Sequence, residues 1–284
     1  MGLFFYFTYT NPLLKGFVLL NIIIKMIKKI TLIGAGNLAT CLGKSLKKNG
    51  FEILQVYSRT KESALTLAEK LNTKYTYKID DIDLSSDLII ISIKDDAIGE
   101  ITEKIKDKNL KIVHTSGSVP MQILENHSLC YGVFYPIMTL SKNRDIDFSN
   151  IPICLEANSN EFLSELKEMA KRISSQVFEI HSKERKILHM AAVFANNFVN
   201  HFYDISDNIL KENGLSFDLL KPLIQETASK IMEISPHDAQ TGPARRVDKS
   251  IINRHLKLLE DNPKREKIYR FVTDSIISTY KENK

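Results

Sequence analysis

The sequence predicts a doubly wound α/β domain with a mostly parallel sheet, followed by an all-helical domain. Apolar strand-like runs alternate with helical stretches from Lys28 onward, and a glycine-rich turn separates the first strand from the first helix. Strand signals stop after about Ser182. Runs that are apolar throughout are typical of a parallel sheet covered by helices on both faces. We therefore predict two domains, at residues 26–182 and 183–284.

The order of the predicted elements follows from these patterns. Strands are predicted from Lys28 and at residues 51–58, 87–93, 111–114, 131–135 and 151–155, with helices at 37–49 and 61–71 between the first of them. The second domain reads as helices at residues 183–212, 218–234, 249–259 and 264–280. Gly214, Pro236 and Pro263 stand at the joins, where helix ends are expected.

Composition and charge argue against a disordered chain, a collagen-like repeat, a coiled coil and a nucleic-acid-binding protein. Of the 284 residues, 43% are hydrophobic and 26% charged, as in ordinary globular proteins. The net charge of +5 is spread along the chain among alternating lysines and acidic residues. No basic tract indicates a nucleic-acid surface, and we expect no nucleic-acid partner.

The cysteines and the N-terminus bear on location. Cys41, Cys130 and Cys154 are odd in number and form no CxxC pair, which favours a reducing cytoplasm. Residues 1–25 are apolar and aromatic, but the run at 16–24 is too short to span a bilayer and no small-residue cleavage site follows. We expect no membrane partner. Our hypothesis is that residues 1–25 are an upstream extension, a translation-start artefact, because Met26 can start a complete protein.

The glycine turn predicts a dinucleotide site. Gly34, Gly36 and Ala39 form a GxGxxA turn that follows an apolar strand and opens a helix. Gly34 allows the tight turn, Gly36 lets the backbone approach a pyrophosphate, and Ala39 keeps the helix close to the sheet. The N–H groups of the helix start, which includes Asn37 and Leu38, favour the phosphates. The alternative is a glycine turn that binds nothing.

The end of the second predicted strand indicates which dinucleotide is bound. An NAD enzyme usually carries an acidic residue there, whereas this chain has Ser58 and Arg59. A guanidinium can bind a 2′-phosphate bidentately, so the sequence predicts NADP over NAD. The alternative for Arg59 is a solvated surface residue. Lys94, at the end of another strand, is either a neighbour of the cofactor or a surface lysine.

Several segments resemble known oxidoreductases. The turn, the Ser-Arg-Thr segment at 58–60 and the strand end at 91–94 are similar to pyrroline-5-carboxylate reductases and 6-phosphogluconate dehydrogenases. The chain after Met26 resembles more closely a family of oxidoreductases in which a Rossmann-like domain precedes a helical domain of unknown function, similar to the C-terminal domains of 6-phosphogluconate dehydrogenases. The matching segments are HTSGSVP at 114–120, GVFYPIMTLSK at 132–142, LHMAAVFANNFVNHFY at 188–203 and AQTGPARRVD at 239–248. Val247 departs from the glycine or polar residue expected before Asp248.

The helix predicted at 183–212 holds three candidate catalytic residues. His189, Asn196 and Asn197 belong to a largely polar stripe, which indicates partly buried polar groups. A substrate cleft and a satisfied interhelical network both explain the stripe. The resemblance implies that this helix runs beside the nicotinamide, which makes His189 the candidate proton donor. Otherwise His189 is a core or capping residue.

Three further candidates lie in loops. Ser116 follows the strand predicted at 111–114 and is predicted to hold a substrate carboxylate or to cap a turn. Thr241 and Arg246 flank a glycine-proline turn, where Arg246 can face an anionic substrate or pair across a dimer.

These features predict an NADP-dependent oxidoreductase that transfers hydride to or from a small anionic carbonyl or imine substrate in an interdomain cleft. The alternative is a non-catalytic NADP-binding sensor, because the helix has no lysine between His189 and Ile209 to act as the general acid that related hydroxyacid dehydrogenases use. The resemblance also implies a homodimer formed through the helical domain.

Overall fold

The chain is described by a computed structural model that covers residues 26–105 and 107–281. The described residues divide into two compact units, with the boundary between Phe194 and Ala195. The predicted N-terminal extension at residues 1–25 lies outside the described residues. No helix of the described ranges combines the length and the hydropathy that a bilayer crossing requires.

An eight-stranded sheet forms the centre of the first unit. Its strands are β1 Lys29–Ile33, β2 Glu52–Tyr57, β3 Lys74–Thr76, β4 Leu88–Ile91, β5 Lys111–His114, β6 Cys130–Pro136, β7 Ile153–Ala157 and β8 Val177–Glu179. The spatial order is β3-β2-β1-β4-β5-β6-β7-β8, and every neighbouring pair is parallel except β6 and β7. The first six strands therefore follow the order of a doubly wound nucleotide-binding fold, which confirms the predicted fold class.

Four helices of the first unit lie between these strands along the chain, and a fifth follows β8. They are α1 Asn37–Lys48, α2 Lys61–Leu71, α3 Ile98–Lys104, α4 Asn160–Lys171 and α5 Ser182–Ala192. Successive residues of one strand face opposite sides of the sheet. Leu88 and Ile90 accordingly belong to one buried cluster, and Ile89 and Ile91 to another. Both faces of the sheet are covered at β4, which is why this strand is apolar throughout.

The register of the strands builds one edge of the sheet. Ile33 pairs with Tyr57 on one side and with Ile91 on the other, and Ile91 pairs with His114. The residues that follow these four strand ends therefore lie at the same carboxyl edge. The strand order reverses between β1 and β4, and ligands of such sheets bind outside that point.

In the described part of the first unit, the strands β3 and β8 and the helices α3 and α4 have no counterpart among the predicted elements. The strands β3 and β8 have three residues each, which is too short for a hydrophobic period to identify. The first unit also extends to residue 194, so it contains α5, which the sequence places at the start of the helical domain.

The second unit is helical, as predicted. A π-helical turn at Val193–Phe198 interrupts the single helix predicted at 183–212 and leads into α6 at Val199–Glu212. The remaining helices are α7 Lys221–Glu233, α8 Pro236–Ala239, α9 Pro243–Arg246, α10 Lys249–Leu258 and α11 Pro263–Lys281. Gly214 has φ of 69° and ends α6 at its predicted position.

Val247, the residue that departs from the family pattern, has a left-handed backbone with φ of 56°. This conformation suits glycine or asparagine and is strained for a β-branched side chain. The structure therefore gives a physical reason for the glycine or polar residue expected there.

Candidate functional site

A crevice of about 750 Å³ lies at the carboxyl edge of β1, β2, β4 and β5. It is lined by residues 34–38, 57–60, 63, 77, 92–95, 97, 100, 101, 104, 115 and 116. Among them are the predicted site residues Gly34, Gly36, Asn37, Leu38, Ser58, Arg59, Lys94 and Ser116. The fold thus brings together segments that are up to 82 residues apart in the sequence, from position 34 to position 116.

The two glycines of the turn have different roles. Gly34 has φ of 122°, and its N–H donates to the Tyr57 carbonyl at 2.8 Å. A Cβ at Gly34 would lie 2.0 Å from the Ser92 carbonyl oxygen, so this residue lets the turn fit against β4. Gly36 has an ordinary φ of −78°, and a Cβ there would meet no atom of the described residues within 4 Å. Packing within the described part of the chain therefore does not require glycine at position 36.

The start of α1 fits a bound phosphate. No side chain of residues 26–105 or 107–281 caps this helix, and its first turn carries no acidic residue. The Asn37 side chain instead accepts the Lys142 N–H at 3.2 Å. The first-turn N–H groups are left for an anion, and the helix dipole favours one.

Small residues further along α1 pack the helix on the sheet. Ala39 does not line the crevice but is fully buried in the core. Gly43 brings α1 close to β1, since a Cβ there would lie 2.8 Å from Leu32 Cδ1.

Cationic side chains surround the end of β2. Arg59 is exposed beside the half-buried Ser58, and Lys104 of α3 lines the same crevice. Glu100, also of α3, forms an ion pair with Lys104 at 2.8 Å. The hydrogen bond from Lys104, together with the charges of Lys104 and Arg59, lowers the pKa of Glu100. Two cations and one carboxylate leave this part of the crevice with a net positive charge, which suits a phosphate.

The loop after β5 forms the other end of the crevice. The Ser116 hydroxyl accepts the N–H groups of Ser118 at 3.1 Å and Val119 at 3.0 Å. Its side chain therefore caps the turn, which is one of the two alternatives for this residue. The Ser118 hydroxyl donates to the carboxylate of Asp95, which also lines the crevice. Lys94 is exposed beside Asp95.

His189 lies against this loop. Its Nδ1 is 3.0 Å from the Tyr135 hydroxyl, and the two rings meet edge to face. A Cβ at Gly117 would lie 2.7 Å from His189 Nδ1 and 2.8 Å from Tyr135 Cζ, so both rings pack directly on the Gly117 backbone. The preceding residue, Ser116, lines the crevice. The Tyr135–His189 pair is thus next to the crevice wall.

Tyr135 was missed in the sequence, although a signal was present. It lies at the end of β6, and β6 is parallel to β5, so Tyr135 is at the same edge of the sheet as the crevice. Its side chain is 8% exposed, and burial raises the pKa of the phenol. Tyr135 is therefore protonated at neutral pH and can donate a hydrogen bond.

A buried ion pair lies beneath the same loop. Arg185 of α5 is 0% exposed and donates to Glu156 of β7, which is 4% exposed. Glu156 also accepts the N–H of Ser182 at 2.9 Å and its hydroxyl at 2.7 Å. Burial raises the pKa of Glu156, but the bonds from Ser182 and Arg185 outweigh burial, and the pKa falls below its ordinary value. Neither member of the pair was predicted, because the partners are 29 residues apart.

His114, at the end of β5, is also buried. Its Nδ1 accepts the Ser116 N–H at 3.2 Å. Burial, reinforced by the nearby Arg185 charge, lowers the pKa of His114 to about 4. The imidazole is therefore neutral in the folded protein at neutral pH, with its proton on Nε2.

The pKa of His114 predicts a loss of stability in acid. Unfolded histidine binds a proton below about pH 6.5, whereas folded His114 binds one only near pH 4, so the free energy of unfolding falls as the pH falls through this window. From pH 7 to pH 5 the loss due to His114 should be about 2 kcal/mol. Urea unfolding at both pH values should show this extra loss in the wild type relative to His114→Asn, which keeps an acceptor for Ser116. Equal losses in the two proteins would contradict the assignment.

The other predicted catalytic residues belong to the second unit. Asn196 and Asn197 lie in the π-helical turn and are exposed in this chain, so the partial burial predicted for them is not observed. The π-helical turn disrupts the 3.6-residue spacing on which that prediction depended. Thr241 borders an apolar cavity of about 300 Å³ within the second unit. Arg246 is exposed in α9. The catalytic roles of these four residues stay predictions.

Comparisons with family models match both parts of the chain. Residues 29–114 match a family described as NADP oxidoreductase, coenzyme F420-dependent. Residues 151–276 match a domain of unknown function, DUF2520. No curated protein sequence matches the chain.

Solved structures show the same architecture. A protein of Bacteroides fragilis, provisionally named an NADP oxidoreductase, is 45% identical over 90% of this chain and 99% of its own, with a TM-score of 0.86. A pyrroline-5-carboxylate reductase of Streptococcus pyogenes is 20% identical over 88% of this chain and 98% of its own, with a TM-score of 0.62. An imine reductase of Myxococcus stipitatus, solved with NADP⁺, is 17% identical over 89% of this chain and 93% of its own, with a TM-score of 0.60. These two show a shared fold.

The glycine turn, the crevice at the strand ends and the helical second unit agree with the two family models and with the Bacteroides protein. At 45% identity over nine tenths of its length, the chain belongs to the same family as that protein, in which an NADP oxidoreductase-type nucleotide-binding domain precedes a DUF2520 domain.

Proposed function

We propose that this protein is an NADP-dependent oxidoreductase that transfers hydride to or from a small anionic carbonyl or imine substrate. One observation carries the proposal. A single crevice holds an uncapped helix start and Arg59 at one end, and at the other end a loop that packs on the Tyr135–His189 pair. The first end suits an anionic dinucleotide, and the second can supply a proton.

The residues of the crevice fit the cofactor. The first-turn N–H groups of α1 would hold the pyrophosphate, and Gly36 leaves room for its approach. Arg59 and Ser58 would hold a 2′-phosphate, with Lys104 adding positive charge. When bound, a nicotinamide dinucleotide supplies or accepts the hydride.

We assign the accompanying proton to His189. In the direction of reduction, the imidazolium gives a proton to the substrate oxygen or nitrogen, and Nδ1 remains hydrogen-bonded to the Tyr135 hydroxyl. Tyr135 holds the ring in one orientation, and Gly117 keeps both side chains close to the crevice. In the direction of oxidation, the neutral imidazole takes the proton back.

The substrate class is supported by the names of relatives and by charge. The Streptococcus protein is a pyrroline-5-carboxylate reductase and the Myxococcus protein an imine reductase, which favours a C=N substrate. Arg246 is proposed to face the substrate anion, and Asn196, Asn197 and Thr241 are proposed to supply neutral hydrogen bonds.

We further propose a homodimer formed through the helical unit. A cytoplasmic location is proposed because Cys41, Cys130 and Cys154 are free.

Arg59→Glu tests the cofactor assignment. Because a carboxylate repels a 2′-phosphate and a charge-assisted pair is lost, we expect NADPH to bind at least tenfold more weakly. NADH binding should change by less than about threefold, since NADH has no 2′-phosphate. Fluorescence titration of both cofactors measures the two constants. Lys61→Glu, which makes the same charge change at an exposed residue outside the crevice lining, is the matched control.

The outcomes of these measurements distinguish an oxidoreductase from a non-catalytic sensor. Selective loss of NADPH binding, with turnover in a screen of keto acids, cyclic imines and coenzyme F420, would support the oxidoreductase. Cofactor binding with no turnover of any of these compounds would favour the non-catalytic sensor. Equal loss of NADPH and NADH binding in Arg59→Glu would contradict the assignment of Arg59 to the 2′-phosphate.

A further inference from the structure

The buried Arg185–Glu156 pair connects three elements of the first unit. Arg185 is on α5, and Glu156 is on β7. Arg185 Nη2 also donates to the Val119 carbonyl at 2.5 Å, in the loop that follows β5. Ser182, at the start of α5, binds Glu156 and accepts the Met121 N–H at 3.3 Å. The pair therefore attaches both the helix and the loop to the sheet.

Helix α5 and the loop after β5, the two segments that the ion pair attaches, both hold His189, the proposed proton donor. Arg185 and His189 are four residues apart on α5, so they lie on the same face one turn apart. Val119 is hydrogen-bonded to Ser116, and Gly117 between them packs on the His189 and Tyr135 rings. The backbone at Gly117 has no room for even a methyl group, so a shift of the helix or the loop would change the Tyr135–His189 contact.

Stability alone does not explain the choice of a buried ion pair. Desolvation of two charges is costly, and an apolar pair of similar volume is often as stable or more stable. A guanidinium, however, donates in fixed directions within a plane, and here those donors reach the Glu156 carboxylate and the Val119 carbonyl. An apolar pair would fill the space without fixing the orientation of the loop against the helix.

We propose that Arg185 and Glu156 are positioning residues that hold α5 and the 116–119 loop so that His189 stays hydrogen-bonded to Tyr135 beside the cofactor crevice. The effect on turnover rests on the proposed function, whereas the effect on the His189–Tyr135 bond does not. The Arg185 charge also acts on Tyr135 directly, because it lowers the pKa of the phenol against the rise caused by burial.

The test replaces both charges at once. Either single replacement would leave an unpaired buried charge and destabilise the fold. The double variant Arg185→Met/Glu156→Gln removes both charges at similar volume. The matched control is Lys111→Met/Glu165→Gln, which removes another partly buried ion pair of the same unit, one that does not line the crevice.

Two measurements are made on the full-length protein. Imidazole ¹⁵N NMR, with His189 assigned from His189→Asn, reports the bond to Tyr135 without any substrate. We expect the double variant to move the His189 signals toward those of Tyr135→Phe, and the control to leave them unchanged. With a substrate from the screen, kcat should fall at least tenfold in the double variant, while NADPH binding stays within about twofold of the wild type.

Unchanged His189 signals in the folded double variant would overturn the proposal. An unchanged kcat together with moved signals would overturn its catalytic part. If no compound is turned over, the NMR result decides the positioning role by itself, so failure of the proposed function remains distinguishable. Should the double variant not fold, Arg185→Lys carries the same test, since it keeps the charge but loses the planar set of donors.

Discussion

Replacing His189 with asparagine is expected to lower kcat by about 100-fold or more, because a positioned general acid contributes on this scale. Asparagine can keep a hydrogen bond to Tyr135 but cannot transfer a proton. NADPH binding should be nearly unchanged, since His189 packs on Gly117 and is not part of the crevice lining. Steady-state rates at saturating substrate and cofactor measure the effect.

Two further variants make this result specific. His181→Asn replaces an exposed histidine that precedes α5, and it should leave kcat within about twofold of the wild type. Tyr135→Phe should give an intermediate loss, because it removes the partner of His189 Nδ1 but leaves the imidazole in place. Turnover by His189→Asn at more than a third of the wild-type rate would exclude His189 as the proton donor.

Substitutions at the two glycines of the turn should affect folding and cofactor binding differently. Gly34→Ala places a side chain at φ of 122° and a Cβ 2.0 Å from a backbone oxygen, so the main chain must shift. We expect the free energy of unfolding to fall by about 3 kcal/mol or more, from backbone strain and overpacking together. Urea unfolding of the wild type and the variant measures this difference.

Gly36→Ala is the matched partner of that variant. Its φ of −78° suits any residue, and in the part of the chain that the structure describes its Cβ would meet no atom within 4 Å. Stability should therefore be unchanged or rise by less than about 1 kcal/mol. NADPH should nevertheless bind at least tenfold more weakly, because the added methyl group would occupy the path of the pyrophosphate to the backbone. Wild-type affinity in Gly36→Ala would show that the phosphates do not approach this glycine.

Local patterns determined much of this protein from the sequence alone. Continuous apolar runs predicted the parallel sheet because strands covered on both faces have no solvent side. The GxGxxA spacing placed the turn between β1 and α1, and the residues after β2 placed Arg59 in the crevice. Helix periodicity and end signals predicted α2 at Lys61–Leu71 as the structure has it. Each of these inferences depends on residues that are close together in the chain.

The tertiary structure decided what depends on distant residues. Tyr135 meets His189 across 54 positions, and Glu156 meets Arg185 across 29, so no local pattern records either pair. The low pKa of His114 is a consequence of burial at the end of β5 and of the nearby Arg185 charge. The residues next to His114 in the sequence show neither of these causes. The π-helical turn likewise changed the spacing that had placed Asn196 and Asn197 on a partly buried stripe. The periodic spacing of apolar residues identifies strands and helices. The partners of a polar side chain, however, depend on which strand ends the fold brings together at one edge of the sheet.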